Sequence, residues 1–519
     1  MNNVNNVETE IKLATFSVEQ LESIMDMPVL KGAFIPDTLG VKELESRYYD
    51  TRNRKFAKAG IVFRVRKEPS GFVATVKSEK ANSGGLSERM EYNVDLESSV
   101  PSFEGFDKVR FLVDLPVIVE KEGGVEELFC VSVKRTQADL LLSDGTIVEM
   151  AIDVGEITAG DKSTPVAEIE FEIKKGNVPA LLNFVAELSQ AVPLYAEHKS
   201  KYARGAELSG EKTSNAGKKE KPVFDKDGFF KDAVIKNIME VHIGRALSAL
   251  SECALRGGDI GLLLQDLLPL KHCLAFYRTV FFDTEYELQV RTFDRIIEEL
   301  ENKIITHEIL LSWFDIKRKS AVVTDLMEKH ITDKDGVYGE RIKKALETGR
   351  YGSALFSLWA WLERQKGRAI QLDGKEYLTE QVQSTWQDIL DLYNGEKELD
   401  YKAVYYKLAA VCENSLAIKK IAGKKVTELY CQAEKMAVAI EDAYNMQKKS
   451  EVLFALFRTG ASRLIYRDAG IIYGYNMQQM KLNDKKTSKI LGKVSEQLQK
   501  ATKQEMPEED GEAFDDTDS

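Results

Sequence analysis

Segment after segment between residues 1 and 205 alternates, and the alternation separates apolar side chains from ionisable ones. In "VAEIEFEIKKG" (166–176), Glu168, Glu170 and Glu172 alternate with Ile169, Phe171 and Ile173. A period of two places successive side chains on opposite faces of a strand, so one face of this strand carries three carboxylates. "VETEIKL" (7–13) repeats the design, with Glu8, Glu10 and Lys12 together. Arg64 and Arg66 share a face in "FRVR", Lys77 lies with Val73 and Thr75, Arg89 lies with Glu91, and Glu149, Ala151 and Asp153 share another. Turns at Glu68–Gly71 and at Ser143-Asp144-Gly145 join neighbouring runs as hairpins. The first half therefore reads as mostly antiparallel sheet, with short helices over Val18–Met25 and Val178–Gln190.

Where the ionisable faces point decides what the sheet does. In an open antiparallel sheet they face water. In a closed barrel they face a lumen, and the apolar faces lie outside under helices. The mixture of signs favours the barrel. A lumen of carboxylates alone would repel itself and raise its own pKa values, whereas both signs together can hold an anion and divalent cations. Several carboxylates suit Mg²⁺ or Mn²⁺, and Arg and Lys suit phosphate oxygens. The ligand this predicts is a metal-bound polyanion such as a triphosphate.

Past residue 206 the texture changes. "ELSGEKTSNAGKKEKPVFD" (207–225) is polar and is predicted to be a linker. From 226 to 504 apolar residues recur at three- and four-residue spacing, as in "FKDAVIKNIMEVHIGRALSALSECAL", which predicts an all-α half of eight or more helices in bundles. A chain of 519 residues exceeds one core of usual size, so the expected division is 1–206, a linker 207–225, 226–504, and an acidic, disordered tail 505–519. Residues 1–205 hold 25 basic and 33 acidic side chains, residues 206–504 hold 47 and 43, and the tail holds eight acids and no base. The small positive balance of the helical half gives no electrostatic case for nucleic acid. The opening "MNNVNNVETE" lacks a basic segment and an apolar run, so no signal peptide is expected; no stretch approaches the ~20 apolar residues that span a bilayer, and the five scattered cysteines lack CxxC spacing. A cytoplasmic protein with reduced thiols and no membrane partner is expected.

"ETEIK" (Glu8, Glu10, Lys12) resembles the ExExK signature of the CYTH superfamily, the triphosphate tunnel metalloenzymes. The resemblance continues in family order over about 200 residues, through "SRYYDT", "FRVR", "TVKS", "SGGLSERMEYNV", "SVKR", "AIDVGEI", "EIEFE" and "SKYARG". It implies an eight-stranded antiparallel tunnel. It also implies roles: Glu8, Glu10, Glu170 and Glu172 bind metal, with Glu168, Asp153 and Glu91 as further ligands or metal-water contacts. Lys12, Arg64, Arg66, Lys77, Arg89, Arg135 and Lys201 clamp the phosphates, and Arg204 matches a less well-defined arginine. Glu8, Glu10, Lys12 and Lys77 form the expected catalytic set.

The combination of this tunnel with a helical half resembles bacterial inorganic triphosphatases in which CYTH is fused to a CHAD domain, here a degenerate one. Its nearest counterpart to the histidine and arginines that open a CHAD is Lys271, His272 and Arg278 in "LLPLKHCLAFYRTVF". The fold class implied is α+β multidomain, a β tunnel with flanking helices followed by helical bundles. The implied activity is metal-dependent hydrolysis of tripolyphosphate to pyrophosphate and phosphate, with Mg²⁺ or Mn²⁺ as cofactor and polyphosphate as a partner of the helical half. Thiamine or nucleoside triphosphate hydrolysis, and non-catalytic polyphosphate binding, are the alternatives.

Overall fold

The computed structural model describes residues 6–211, 234–235 and 241–505, apart from 79–81, 84, 110–112, 282, 320–324, 367–372, 396–399, 457–461 and 480–483. Residues 212–225 of the expected linker and 506–519 of the expected tail lie outside the described residues.

The alternating segments form β1 (Asn6–Ala14), β2 (Gly40–Asp50), β3 (Ile61–Glu68), β4 (Gly71–Ser78), β5 (Asn82–Ser83), β6 (Leu86–Leu96), β7 (Glu126–Leu141), β8 (Ile147–Ala159), β9 (Lys162–Lys175) and β10 (Tyr195–Ala196). Their order is β1-β9-β8-β7-β2-β3-β4-β6, and β6 pairs back onto β1, so eight strands close a cylinder; the two-residue β5 and β10 add to β6 and β1. All pairings are antiparallel, as the short hairpin turns require. The expected tunnel is present.

The apolar face of each strand needs a cover. Helices α1 (Val18–Ser23), α2 (Pro28–Lys31) and α5 (Val178–Ala191) lie on the side built by Ile11, Leu13, Met150, Ile152, Ile169 and Phe171. α3 (Lys55–Lys58) and α4 (Leu115–Glu122) belong to the cover over Phe63, Val65, Val76 and Val94. α5 starts where Asn177 accepts a hydrogen bond from the Ala180 amide and buries Leu181, Leu182, Val185 and Leu188.

One stretch of the lumen departs from the expected charged lining. Leu44, Val62, Val131, Val133, Ile157 and Val166 lie on the same strand faces as the ionisable residues, yet they pack into an apolar cluster with Phe129 and Ala206. α6 (Lys201–Leu208), capped by Ser200, seals this part. Gly205 lets it approach: a Cβ there would lie 2.3 Å from the Phe129 ring. On β2 the charged Glu43, Glu45 and Arg47 consequently face out, while Leu44, Ser46 and Tyr48 face in.

The second half is all helix: α7 (Gly244–Arg256), α8 (Ile260–Phe276), α9 (Arg278–Phe281), α10 (Thr284–Lys319), α11 (Asp325–Glu347), α12 (Arg350–Gln365), α13 (Gly374–Gly395), α14 (Tyr401–Glu413), α15 (Ser415–Ile421), α16 (Lys424–Ala455), α17 (Arg463–Gln479) and α18 (Asp484–Glu505). It does not hang from the tunnel as a separate body. α12 packs along α5, and one continuous apolar cluster runs from Ile11 and Phe171 of the tunnel wall to Trp361 and Trp386 of the bundle. No helix among the described residues is long and apolar enough to cross a membrane.

Candidate active site

Register sets the lining. Across β1–β6, Glu8 stands opposite Arg89 and Glu10 opposite Ser87. Across β1–β9, Glu10 stands opposite Glu172 and Lys12 opposite Glu170. Lys77 faces Glu91, Arg64 faces Tyr48 and Thr75, Arg135 faces Asp153, and Glu149 faces Glu172. These side chains surround an interior cavity of about 280 Å³. Like charges placed directly opposite destabilise a ladder, so Glu10–Glu172, Glu149–Glu172 and Asp153–Glu168 mark a wall shaped by something other than sheet stability.

The charges fall into two groups. Beside α6 they neutralise one another. Arg135 reaches both oxygens of Asp153 (2.7 and 2.6 Å) and Glu170 (3.0 Å). The Lys201 ammonium lies 2.7 Å from Asp153 and 2.9 Å from Glu170 and also contacts Glu168, which Arg204 binds from its other side. Lys12 sits 2.6 Å from Glu170. Arg135, Lys12 and Lys201 hold Glu170 well below the usual carboxylate range against the cost of burial, and Asp153 is likewise lowered by Lys201 and Arg135 despite its burial.

Along the remaining lining the charges are matched only in part: Lys77 contacts Glu91 and Glu8, Arg66 contacts Glu68, and Arg64 and Arg89 stand 3.7 and 3.9 Å from Glu91 and Glu10. Burial and the nearby Glu91 carboxyl push Glu8 up to about 8 although Lys77 is 3.2 Å away. Burial, then Glu149, pushes Glu172 up to about 7. Glu10 stays below its ordinary value: burial opposes this most strongly, but Lys12, Lys77 and Arg89 together outweigh it. On the cationic side, the buried Nε atoms of Arg64, Arg66 and Arg89 have no hydrogen-bond partner. Burial and the adjacent Arg64 also lower the Arg66 guanidinium. Incompletely matched carboxylates and guanidinium donors thus share one cavity.

Every residue that the sequence reading assigns to metal or phosphate lies on the tunnel lining or in direct contact with it: Glu8, Glu10, Lys12, Arg64, Arg66, Lys77, Arg89, Arg135, Asp153, Glu168, Glu170, Glu172 and Lys201. The reading missed Tyr48, Asn93 and Tyr202, which also line the cavity. Parity was the available signal for two of them: Tyr48 stands opposite Arg64, and Asn93 shares the face of Glu91. In the helical half, Lys271 and His272 both lie against the Tyr406 ring, and Lys271 also pairs with Asp294 at 2.8 Å, whereas Arg278 pairs with Glu287 at 2.6 Å.

The fold and lining define a closed β tunnel whose cavity brings carboxyl, guanidinium and ammonium groups together. Residues 8–206 match the CYTH domain. Over 163 residues the chain is 32% identical to an inorganic triphosphatase of Haemophilus influenzae; the match covers 31% of this chain and spans 45% of that relative's length. Among solved structures, a Hippeastrum protein described as an adenylyl cyclase with a dominant triphosphatase activity is 20% identical, with a TM-score of 0.28, over 40% of this chain and 97% of its own. A Pyrococcus horikoshii protein is 19% identical, with a TM-score of 0.24, over 38% of this chain and 98% of its own.

Proposed function

We propose that the tunnel hydrolyses inorganic triphosphate to pyrophosphate and phosphate with Mg²⁺ or Mn²⁺. One observation carries this reading: Arg64, Arg66 and Arg89, whose buried Nε atoms have no hydrogen-bond partner, share a cavity with Glu8 and Glu172, whose carboxyls are pushed up, and with the ionised Glu10. A polyanion supplies acceptors to the first set and a divalent cation supplies charge to the second. The match to a CYTH domain and the relative named as an inorganic triphosphatase support the same reading.

The donor set fits a hard cation, since every candidate ligand is a carboxylate oxygen. Two carboxylate groups compete for it. Oxygens of Asp153, Glu168 and Glu170 lie within 4.8 Å of one another, but Lys12, Arg135, Lys201 and Arg204 already neutralise them. We assign the cation to Glu8, Glu10 and Glu172, where burial and neighbouring carboxyls raise Glu8 to about 8 and Glu172 to about 7 despite the nearby lysines. When bound, such an ion supplies Lewis-acid polarisation of phosphate oxygens and acidifies a coordinated water.

The protein's own part is positioning and charge. Phosphoryl transfer needs little covalent help. Arg64, Arg66 and Arg89 donate to the phosphate oxygens, and Lys77 and Lys12 add ammonium charge beside Glu8 and Glu170. These donors stabilise negative charge as it shifts to the leaving pyrophosphate. The apolar plug under α6 keeps water out of one end of the lumen and sharpens each of these interactions. The cavity of about 280 Å³ lies at the small end of ligand sites, and its lining is mostly ionisable side chains, which favours a bare phosphate chain over a nucleotide base. Phosphate release from tripolyphosphate, thiamine triphosphate and ATP with Mg²⁺ and Mn²⁺ tests the reading. Release from tripolyphosphate, sharply lowered in Glu10→Gln and weakened at low substrate in Arg66→Ala, is expected; no release with any divalent metal at neutral or alkaline pH would sink it.

For the helical half the second reading is a polyphosphate-binding, CHAD-like module. Its support is a groove lined by Lys419, Lys420, Lys424 and Lys435. Titration calorimetry with long-chain polyphosphate, on the full chain and on a Lys420→Ala/Lys424→Ala variant, is expected to show heat that the variant loses.

A further inference from the structure

The helical half makes up most of the chain, and it meets the tunnel along α5 and at the connection between α5 and α6. That connection reaches Lys12. β1 leaves β6 after Ile11, and from Leu13 it pairs instead with β10. Lys12 stands at the changeover. Its amide donates to the Gly85 carbonyl (3.1 Å), and its carbonyl accepts from the Glu197 amide (2.9 Å), one residue past β10. Its side chain is the ammonium that holds Glu170.

The helical half grips β10 at both residues. The Tyr195 hydroxyl donates to the carbonyl of Leu346 at the end of α11. Ser251 of α7 places its buried hydroxyl 2.8 Å from the Ala196 carbonyl and 2.9 Å from its own Leu247 carbonyl. The chain leading into β10 is held just as closely. Gly349, between α11 and α12 with φ +67°, lets the two halves meet: a Cβ there would lie 2.2 Å from the Ser189 carbonyl and 2.9 Å from Pro193 Cα. Ser353 of α12 donates to the Ala186 carbonyl at 2.8 Å.

We infer that residues 189–197 are a strap through which the helical half fixes the backbone of Lys12, making Ser251 and Tyr195 positioning residues for the tunnel. The consequence for catalysis rests on the hydrolytic reading above; the mechanical link does not. Losing one of these hydrogen bonds loosens β10. A loosened β10 frees the Lys12 carbonyl and lets its ammonium drift from Glu170 and the phosphates.

The test uses the full-length protein as Ser251→Ala, Ser251→Thr and Tyr195→Phe. Hydrogen exchange of the peptide covering residues 11–14 is expected to quicken about fivefold in Ser251→Ala and Tyr195→Phe, the worth of one net hydrogen bond, and to return toward wild type in Ser251→Thr. The kcat/KM for tripolyphosphate is expected to fall by a similar factor, and the fall is expected to vanish when Ser251→Ala is combined with Lys12→Met. Wild-type exchange in both Ser251→Ala and Tyr195→Phe, or a kinetic loss undiminished by Lys12→Met, overturns the inference. If the wild-type protein hydrolyses no tripolyphosphate, the functional reading fails, and the exchange data still decide whether the strap exists.

Discussion

Glu10 and Glu172 stand directly opposite each other in the β1–β9 ladder, both on the inner face of the tunnel. Their neighbours divide them. Lys12, Lys77 and Arg89 together keep Glu10 ionised against burial, while Glu172 meets Glu149 on its other flank and rises to about 7. One rung thus holds two carboxyls with different protonation at neutral pH. Glu172→Gln is therefore expected to stabilise the metal-free protein at about pH 8 by about 1–2 kcal/mol, since it removes a charge the fold disfavours. Glu10→Gln is expected to destabilise it, because Lys12 loses a counter-ion. Both are expected to lower triphosphate hydrolysis by roughly 10²-fold or more. Thermal melts beside phosphate-release assays separate the two effects, and equal melting shifts for the two variants would contradict this account.

The same raised groups set a pH dependence. Between the ordinary carboxyl value of 4.5 and their folded values of about 8 and about 7, Glu8 and Glu172 hold protons that the unfolded chain has released. Their contribution to stability is complete below 4.5 and is lost as pH rises through about 7 and about 8. The melting temperature of the metal-free protein is expected to fall from about pH 5 to about pH 8, by an amount on the order of a few kcal/mol of stability. Glu8→Gln and saturating Mg²⁺ should each flatten the slope. A melting curve that rises over this range would be incompatible with an incompletely compensated carboxylate wall.

Arginines on the two sides of the tunnel are expected to behave differently. Arg135 is the partner of Asp153, whose side chain is 0% exposed. Arg135→Ala leaves that carboxylate with the Lys201 ammonium alone and is expected to cost about 3–5 kcal/mol. Arg66 contacts Glu68 but leaves its Nε unpartnered beside Arg64. Arg66→Ala is expected to leave the melting temperature within a few degrees of wild type and to raise KM for tripolyphosphate roughly tenfold or more, the worth of a charge-assisted hydrogen bond. Steady-state kinetics and calorimetry on the pair decide whether one guanidinium serves the fold and the other the ligand.

The tunnel was legible in the sequence because its lining obeys one rule, the period of two. Arg64 with Arg66, and Glu168 with Glu170 and Glu172, are recognisable as shared faces without coordinates, and mixed signs point to a lumen. The rule fails where the inward face is apolar. On β2 the charged Glu43, Glu45 and Arg47 face outward, and on β7 the inward Val131 and Val133 look like ordinary core. Alternation separates two faces but does not say which one is inside; that depends on α6, whose eight residues carry too little pattern to announce a plug. The strap was equally hidden. β10 is two residues long, and the hydroxyls of Tyr195 and Ser251 act on backbone carbonyls that any sequence would supply. The shared core of the two halves escaped notice because a polar linker composition describes chain connectivity and carries no information on which faces dock.

The plug offers the last expectation. α6 rests on Phe129 through Gly205, with no room for a Cβ. Gly205→Ala must push the helix off the ring or force Phe129 into a strained rotamer, at an expected cost of about 1–3 kcal/mol. Ala has the better helix propensity by about 1 kcal/mol, so a purely local view of α6 predicts the opposite sign. Displacing α6 also draws Lys201 and Arg204 away from Glu168, Glu170 and Asp153, which leaves Asp153 and Glu170 leaning on Arg135 and Lys12 alone. Hydrolysis should therefore fall along with stability. Phe129→Leu makes room, and the double variant Gly205→Ala/Phe129→Leu is expected to recover part of both losses relative to the sum of the single changes. A double-mutant cycle on melting temperature and kcat reads this directly; strict additivity would mean that Gly205 does not act through Phe129.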